Sequence, residues 1–379
     1  MPLDPLEFRT SLRRLLAALM LILVPVTVLG LYVALQGDTY VRQMNGAHFR
    51  SLTRIAAETT SAFVGDFVKD VGAIANSPSV VQAVTSANRP YEHLSEQAVR
   101  TKVEAIESKW NTSESDAQSR SILTSDLARE LRRDRELNAK LLRITVADIS
   151  GATVAATDKP LHYFQTDRES WSSLYSQGWG ALHVSDLRYD EQNRLYYVNV
   201  AYPILQEGTG RFIGAAMALV DLSPLFAQLN EQQIGRTGRL FLVRTDGVVV
   251  QAPGVTPGMR VKSEEYAAIR DALGTLRGRE AGYIYATLPK GESYLIGFAD
   301  TRLQEAFPNL PWIMLASQEA REAVGPVRSM AGFALFMMIL ALLMMTLLGA
   351  YVFLHRKQKL DDIETPPENN QRRQRREAA

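Results

Sequence analysis

Residues 141–158, LLRITVADISGATVAATD, hold two short β-rich runs on either side of Asp148-Ile149-Ser150-Gly151. Gly151 can supply the positive φ that a hairpin turn requires, so this stretch opens an antiparallel sheet. Downstream, RLYYVNVAYPIL (194–205) and RFIGAAMALVD (211–221) read as further strands, separated by Gln206-Glu207-Gly208-Thr209-Gly210. Ser223-Pro224 then marks a helix start, with the serine as cap and the proline at the first helical position. The pattern partly repeats. GRLFLVRTDGVVVQ (238–251) is a strand-turn-strand around Asp246-Gly247, followed by AGYIYATL (281–288), SYLIGFAD (293–300) and PWIMLAS (311–317). Two α+β lobes, each on an antiparallel sheet, fit this order better than one continuous sheet.

Upstream the texture is helical. From Thr39 to Ala75 there is no proline, and Phe49, Leu52, Ile55, Ala56, Phe63, Phe67, Val71 and Ile74 recur at intervals of three to four residues, predicting one long amphipathic helix. Further helices are expected at about Ser95–Lys109 and Ser125–Leu142, where charge is dense and apolar positions are sparse. Such helices pair with a sister chain or pack on their own domain, and the pattern leaves both open.

Two apolar blocks bracket these regions, Leu15–Leu35 and Met330–Leu354. The second is uncharged over 25 residues, and at about 1.5 Å per residue it exceeds a hydrocarbon core of roughly 30 Å. The first contains Pro25 and Gly30, which a membrane helix tolerates. A cleaved signal peptide is the competing reading. Against it, the block outlasts the usual apolar core of about 7–15 residues, and no small-x-small site stands out after Leu35. Arg9, Arg13 and Arg14 precede the first span, and Arg356, Lys357 and Lys359 follow the second, which puts both termini in the cytoplasm and the intervening region outside it.

The chain is 46% hydrophobic and 22% charged, with a net charge of +1. That is a folding composition with no general attraction for nucleic acid. The absence of cysteine excludes disulfides, thiolate metal sites and a cysteine nucleophile. The last stretch, HRKQKLDDIETPPENNQRRQRREAA, has seven Lys or Arg against five Asp or Glu. It is expected to be disordered, with no room for an output domain. Its Arg372–Arg376 cluster suits anionic headgroups or an acidic partner, or is simply a solvated tail.

A membrane helix, a long helix, LLRITVADISGATVAATD, VNVAYPIL…GRFIGAAMALVDLSPL, IGRTGRLFLVRTDGVVV and PWIMLASQEAREAVGPV, in that order, resemble the double Cache sensor modules of bacterial chemoreceptors and receptor kinases. The resemblance covers roughly residues 37–328. It implies an α+β fold, a long N-terminal helix plus two PAS-like antiparallel-sheet lobes, flanked by two transmembrane helices. The expected organisation is 1–14 cytoplasmic, 15–36 first span, 37–140 helical stalk, 141–222 membrane-distal lobe, 223–328 membrane-proximal lobe, 329–354 second span and 355–379 basic tail. Family members usually bind small solutes in the distal lobe.

Between Tyr163 and Asp221 lie the residue types a small zwitterion needs. Arg168 offers a planar fork for a carboxylate, Trp171 an indole donor and apolar wall, Tyr163 and Tyr189 hydroxyls, and Asp190 or Asp221 a partner for an ammonium. The family's amino-acid-binding members use a tyrosine, an arginine, a tryptophan-tyrosine pair, a second tyrosine and a terminal aspartate at related positions. Here Trp171 lies three residues after Arg168 instead of two, and Ser172 replaces the tyrosine, so the carboxylate clamp is incomplete. Each residue also has a structural role open to it. Arg168 could pair with Asp167 or Glu169, Trp171 and the tyrosines could be packing groups, and Asp221 could answer the positive start of the helix after it.

The five histidines show no HExxH or paired metal spacing, there is no GxSxG elbow, and Gly208, Gly210 and Gly214 miss dinucleotide spacing. Neither catalysis nor a cofactor is expected. The expectation is a sensor in a bacterial inner membrane, its main domain periplasmic. It would bind an amino acid, amine or organic acid, assemble as a homodimer, and signal to a separate cytoplasmic or membrane partner. The alternatives are an envelope scaffold whose pocket has closed, or a truncated receptor.

Overall fold

The computed structural model describes residues 5–112, 116–166, 169–255, 260–275, 281–323 and 336–351. It divides into two units, 46–322 and the remainder.

Helix α1 (Pro5–Ala75) runs through the first expected span and into the larger unit. Its buried stripe there is Phe49, Thr53, Ala56, Thr60, Val64, Phe67, Val71 and Ala75, steps of three and four that keep one face inward. Two threonines sit in this stripe because their hydroxyls are satisfied inside the helix. Thr53 donates to the Phe49 carbonyl at 2.9 Å and Thr60 to the Ala56 carbonyl at 2.8 Å. Ile55, placed in the stripe on sequence, is 54% exposed on the opposite face.

Helices α2 (Pro78–Asn88), α3 (Glu96–Glu107), α4 (Asp116–Thr124) and α5 (Asp126–Leu137) follow. Ser77, Ser95 and Ser125 cap α2, α3 and α5 by accepting from the amides of Val80, Ala98 and Ala128. Both expected helices pack within their own domain, α5 on β1 and α3 through Val103 in a buried cluster with Ala152 and Ala156; α2 also lies on β1 and α4 on β2.

The first sheet comprises β1 (Leu141–Asp148), β2 (Thr153–Ala156), β3 (His183–Val184), β4 (Arg188–Asp190), β5 (Leu195–Leu205) and β6 (Phe212–Asp221). Its order is β2-β1-β6-β5-β3, with β4 also pairing β5, and every pairing is antiparallel. Helix α6 (Glu169–Tyr175) lies in the connection from β2 to β3, and α7 (Ser223–Glu231) joins the two sheets. The second sheet, β7 (Arg239–Arg244), β8 (Val249–Gln251), β9 (Ala281–Thr287), β10 (Ser293–Asp300) and β11 (Trp312–Glu319), has the order β8-β7-β11-β10-β9. Both sheets therefore wind alike, with the first hairpin at one edge and the last strand next to it. That is the two-lobed α+β arrangement expected from the sequence.

At the start of α7, the Asp221 carboxylate accepts the Ser223 amide at 2.8 Å, while the Ser223 hydroxyl accepts the Tyr196 amide at 3.0 Å. The aspartate thus serves the helix end that the sequence assigned to the serine, and the serine pins β5.

Among the described residues no helix is long and apolar enough to cross a membrane. Residues 336–351 are helical, with Phe336, Ile339, Leu343, Leu347 and Tyr351 exposed, as are Met20, Leu21, Val24 and Val28 of α1. In the same unit the Asn45 amide donates to the Ala323 carbonyl at 2.6 Å. Residues 1–4, 324–335 and 352–379, with parts of the expected second span and the whole expected tail, lie outside the described residues.

Gly297 of β10 lies so close to α1 that a Cβ there would sit 2.8 Å from the Phe49 carbonyl oxygen. Gly297→Ala forces the helix backbone away from the sheet and should cost about 1–3 kcal/mol, measured by denaturant unfolding of the full chain. Glu322 closes the larger unit by accepting the amides of Arg236 at 2.7 Å and Thr237 at 2.9 Å together with the Thr237 hydroxyl. The Thr237 hydroxyl and Arg236 amide favour the charged carboxylate and lower its pKa from 4.5 to about 2. A depressed folded pKa contributes stability that is complete above 4.5 and lost as pH falls toward 2. Glu322→Gln should therefore flatten the fall in thermal midpoint across that acid range, compared with wild type.

Candidate functional site

The face of the first sheet that bears Arg143, Thr145 and Met217 carries a small cavity of about 70 Å³. Strand alternation sets its floor. Arg143 of β1 lies opposite Leu219 of β6, which lies opposite Asn199 of β5; one row on, Thr145, Met217 and Ala201 align. The β1 register slips by one residue between Leu141 and Arg143, a bulge of the kind that re-aims a side chain. Pro160, Leu161 and Gln165, from the connection after β2, form the cover.

That cover is fastened from behind. Glu107, at the end of α3, accepts the amides of Tyr163 at 2.7 Å and Phe164 at 2.9 Å and meets the His162 ring at 2.8 Å. The Trp110 indole donates to the Pro160 carbonyl at 2.9 Å, and the Thr153 hydroxyl to the Tyr163 carbonyl at 2.7 Å. Tyr163 itself is buried in an apolar cluster with Val103, Trp110 and Ile122, its ring 5.4 Å from that of Trp110. Burial raises its phenol pKa well above the ordinary tyrosine range.

The floor is a set of unspent polar groups. Elsewhere in the unit, Arg135, Arg239 and Arg244 are paired with Asp158, Glu265 and Asp186. Arg143 is half-buried, yet among the described residues its guanidinium has no partner, and neither have the side chains of Thr145 and Asn199. A half-buried cation beside a hydroxyl and an amide is a ready receptor for a carboxylate or similar anion.

The six residues singled out on sequence are not gathered in one place. Tyr163 fastens the cover from its back. Arg168 lies outside the described residues. Trp171, on α6, shares an apolar cluster with Met217 and meets Phe212 edge-on at 5.8 Å, so it borders the floor. Asp221 lies on the floor's face opposite Tyr197, two residues and about 7 Å along β6 from Leu219. Its Oδ1 caps α7. Tyr189 and Asp190 sit on β4, away from this cavity. Tyr189 packs on Tyr196 at 4.9 Å, and Asp190 accepts the amides of Gln192 and Asn193 in the β4–β5 turn. The Asn193 side chain and amide hold its carboxyl below the usual range. The residues missed, Arg143, Thr145 and Asn199, carried one signal: in LLRITVAD a charge falls in phase with Thr145 and Ala147, on the face that the large aliphatics Ile144 and Val146 avoid.

The Cache domain profile matches residues 40–327. Among solved structures, the periplasmic sensory domain of the Campylobacter jejuni chemoreceptor Tlp1 is similar at 10% identity, over 76% of this chain and 99% of that one, with a TM-score of 0.50. The ligand-binding domain of the Pseudomonas fluorescens chemoreceptor CtaA, in complex with L-isoleucine, is similar at 13% identity over 76% and 98%, with a TM-score of 0.45. That of the Pseudomonas aeruginosa amino-acid chemoreceptor PctB, in complex with L-Arg, stands at 15%, 73% and 96%, with a TM-score of 0.42. No curated protein matches the chain in sequence.

Glu107→Ala would strip acceptors from the Tyr163 and Phe164 amides. The cover should loosen by about 1–3 kcal/mol, the cost of buried donors left unpaired, read as faster amide exchange at those two residues with β10 and β11 unchanged.

Proposed function

This chain belongs to the Cache domain family, and we propose that it is a membrane-anchored extracytoplasmic sensor whose first lobe captures a small carboxylate, an amino acid or short organic acid. The observation that carries this reading is Arg143, a half-buried guanidinium on the cavity floor with no partner among the described residues. An unpaired charge held partly out of water costs free energy that a ligand carboxylate returns. Thr145 and Asn199 supply the neighbouring hydrogen bonds, and Trp171 the apolar wall.

The cavity of about 70 Å³ has room for about two waters at the roughly 30 Å³ each occupies in the liquid. It therefore suits a solute of a few heavy atoms. Asp221 keeps Oδ2 for a ligand ammonium while Oδ1 caps α7, which favours an amino acid over a plain acid.

The rest of the reading rests on the two apolar blocks that bracket the lobes. Residues 15–36 and 329–354 anchor the protein in a bacterial inner membrane, with the lobes outside and both termini inside; the uncovered apolar side chains of α1 and of 336–351 support this. The protein works as a homodimer and hands its signal to a separate partner protein. The solute acts by binding one arrangement of the lobes more tightly than another.

The test is a thermal-shift and calorimetric screen of the full chain in nanodiscs against amino acids, amines and organic acids. A hit at about 100 times its dissociation constant adds roughly 2.7 kcal/mol and raises the midpoint. Arg143→Ala should weaken that hit by about 30-fold or more, as expected for removing one partner of a buried charge pair. Asp221→Asn keeps the cap and should weaken only ligands that carry an amine. Unchanged affinity in Arg143→Ala would overturn the assignment, and silence across the screen would favour a scaffold whose cavity is closed.

A further inference from the structure

A second cavity, of about 280 Å³, lies where the two lobes meet. Arg188 and Tyr189 of β4 and Tyr196 of β5 line it from the first lobe, and Val249, Ala252 and Arg260 from the second. It has four times the volume of the floor cavity and a different chemistry.

Its charges are unevenly spent. Arg244 reaches Asp186 of the first lobe at 2.6 Å and Asp246 beside it at 3.5 Å, so both acids of the lining are occupied. Arg188 and Arg260 remain, and among the described residues neither has a partner. Three arginines against two aspartates leave the lining at a formal +1. Beside these cations stand two aromatic faces, Tyr189 and Tyr196, with ring centroids 4.9 Å apart, and the aliphatic wall of Val249, Ala252 and Val255.

We propose that this inter-lobe cavity is a second ligand site, for a small organic anion with a planar or apolar body, the class to which aromatic carboxylates belong. The anion lies between Arg188 and Arg260 and the body against the tyrosines and valines. Its size admits molecules that the floor cavity excludes, so the two sites take different compounds. A ligand here touches β4 and β5 on one side and the β8 region on the other. It therefore holds the lobes in one relative arrangement, a second input to the equilibrium that the first site biases. Tyr189, singled out on sequence but remote from the floor cavity, finds its role here.

Benzoate is the probe. Its binding to the full chain in nanodiscs is measured by equilibrium dialysis for wild type, Arg143→Ala and the double variant Arg188→Ala/Arg260→Ala. Both arginines of the double variant are exposed, so its thermal midpoint should match wild type. Saturable binding is expected in wild type and Arg143→Ala, and about tenfold weaker binding in the double variant, the order lost with two charge-assisted contacts. No saturable binding by wild type at millimolar benzoate overturns the proposal. So does equal affinity in the double variant. Loss in Arg143→Ala with retention in the double variant overturns it too, by placing benzoate on the floor of the first lobe.

Discussion

Both sheets are positioned against one helix. The buried stripe of α1 from Phe49 to Ala75 spans about 39 Å at roughly 1.5 Å per residue, and each lobe meets it through a glycine. Gly72 of α1 lies under the Tyr202 ring of β5, where a Cβ would approach to 2.8 Å, and Gly297 of β10 faces the Phe49 carbonyl equally closely. The Ser61 hydroxyl also donates to the Thr301 carbonyl, and Asn138 to Asp70 at 2.7 Å. Backbone-close packing of this kind does not slide freely, because interiors are packed too densely to deform continuously. A lobe that shifts must either carry α1 with it or break these seats.

The floor of the first lobe is tied to the junction between the lobes by one short segment. The Asn199 main chain is bonded twice to Ser185, whose amide donates to the Asn199 carbonyl and whose hydroxyl accepts the Asn199 amide, both at 2.9 Å. Asp186, the next residue, pairs with Arg244 of the second lobe, and the carbonyl of Val184 accepts from Asn309 at 2.9 Å. Residues 184–186 thus touch a floor residue on one side and the second lobe on the other. A solute that drew on the Asn199 side chain, as proposed above, would act on a residue bonded to this segment.

The lobes were legible because their strands are short, β-branched and punctuated by turn residues: Gly151 and Gly247 both adopt the positive φ that the hairpins require, +80° and +83°. What stayed hidden was what depends on contacts rather than pattern. Thr53 and Thr60 read as polar, yet their hydroxyls bond backward along α1 and leave their methyls for the core. Helices α2 and α4 were not foreseen, being short and stabilised by the sheet they cover. Tyr163, Trp171 and Asp221 were picked for their chemistry, and all three lie near the floor cavity, but its central cation, Arg143, sits in a strand that reads as structural. No spacing rule distinguishes an arginine that will find a partner from one that will not; only the assembled sheet face does.

Asp221-Leu222-Ser223 concentrates three duties in three residues. The aspartate's Oδ1 accepts the Ser223 amide at the start of α7, its other oxygen is the one proposed above for a ligand ammonium, and the serine hydroxyl accepts the Tyr196 amide. Leu222, fully buried, accepts the Phe226 amide and donates to the Tyr196 carbonyl at 2.8 Å, so the turn cannot pivot without disturbing both α7 and β5. Tyr196 in turn lines the inter-lobe cavity and meets Phe226 of α7 edge-on at 4.9 Å. An ammonium drawn to Asp221 competes electrostatically with the helix end for the same carboxylate. If the proposed site takes an amine there, the strength of the α7 cap depends on whether that site is filled, and α7 leads directly into the second lobe.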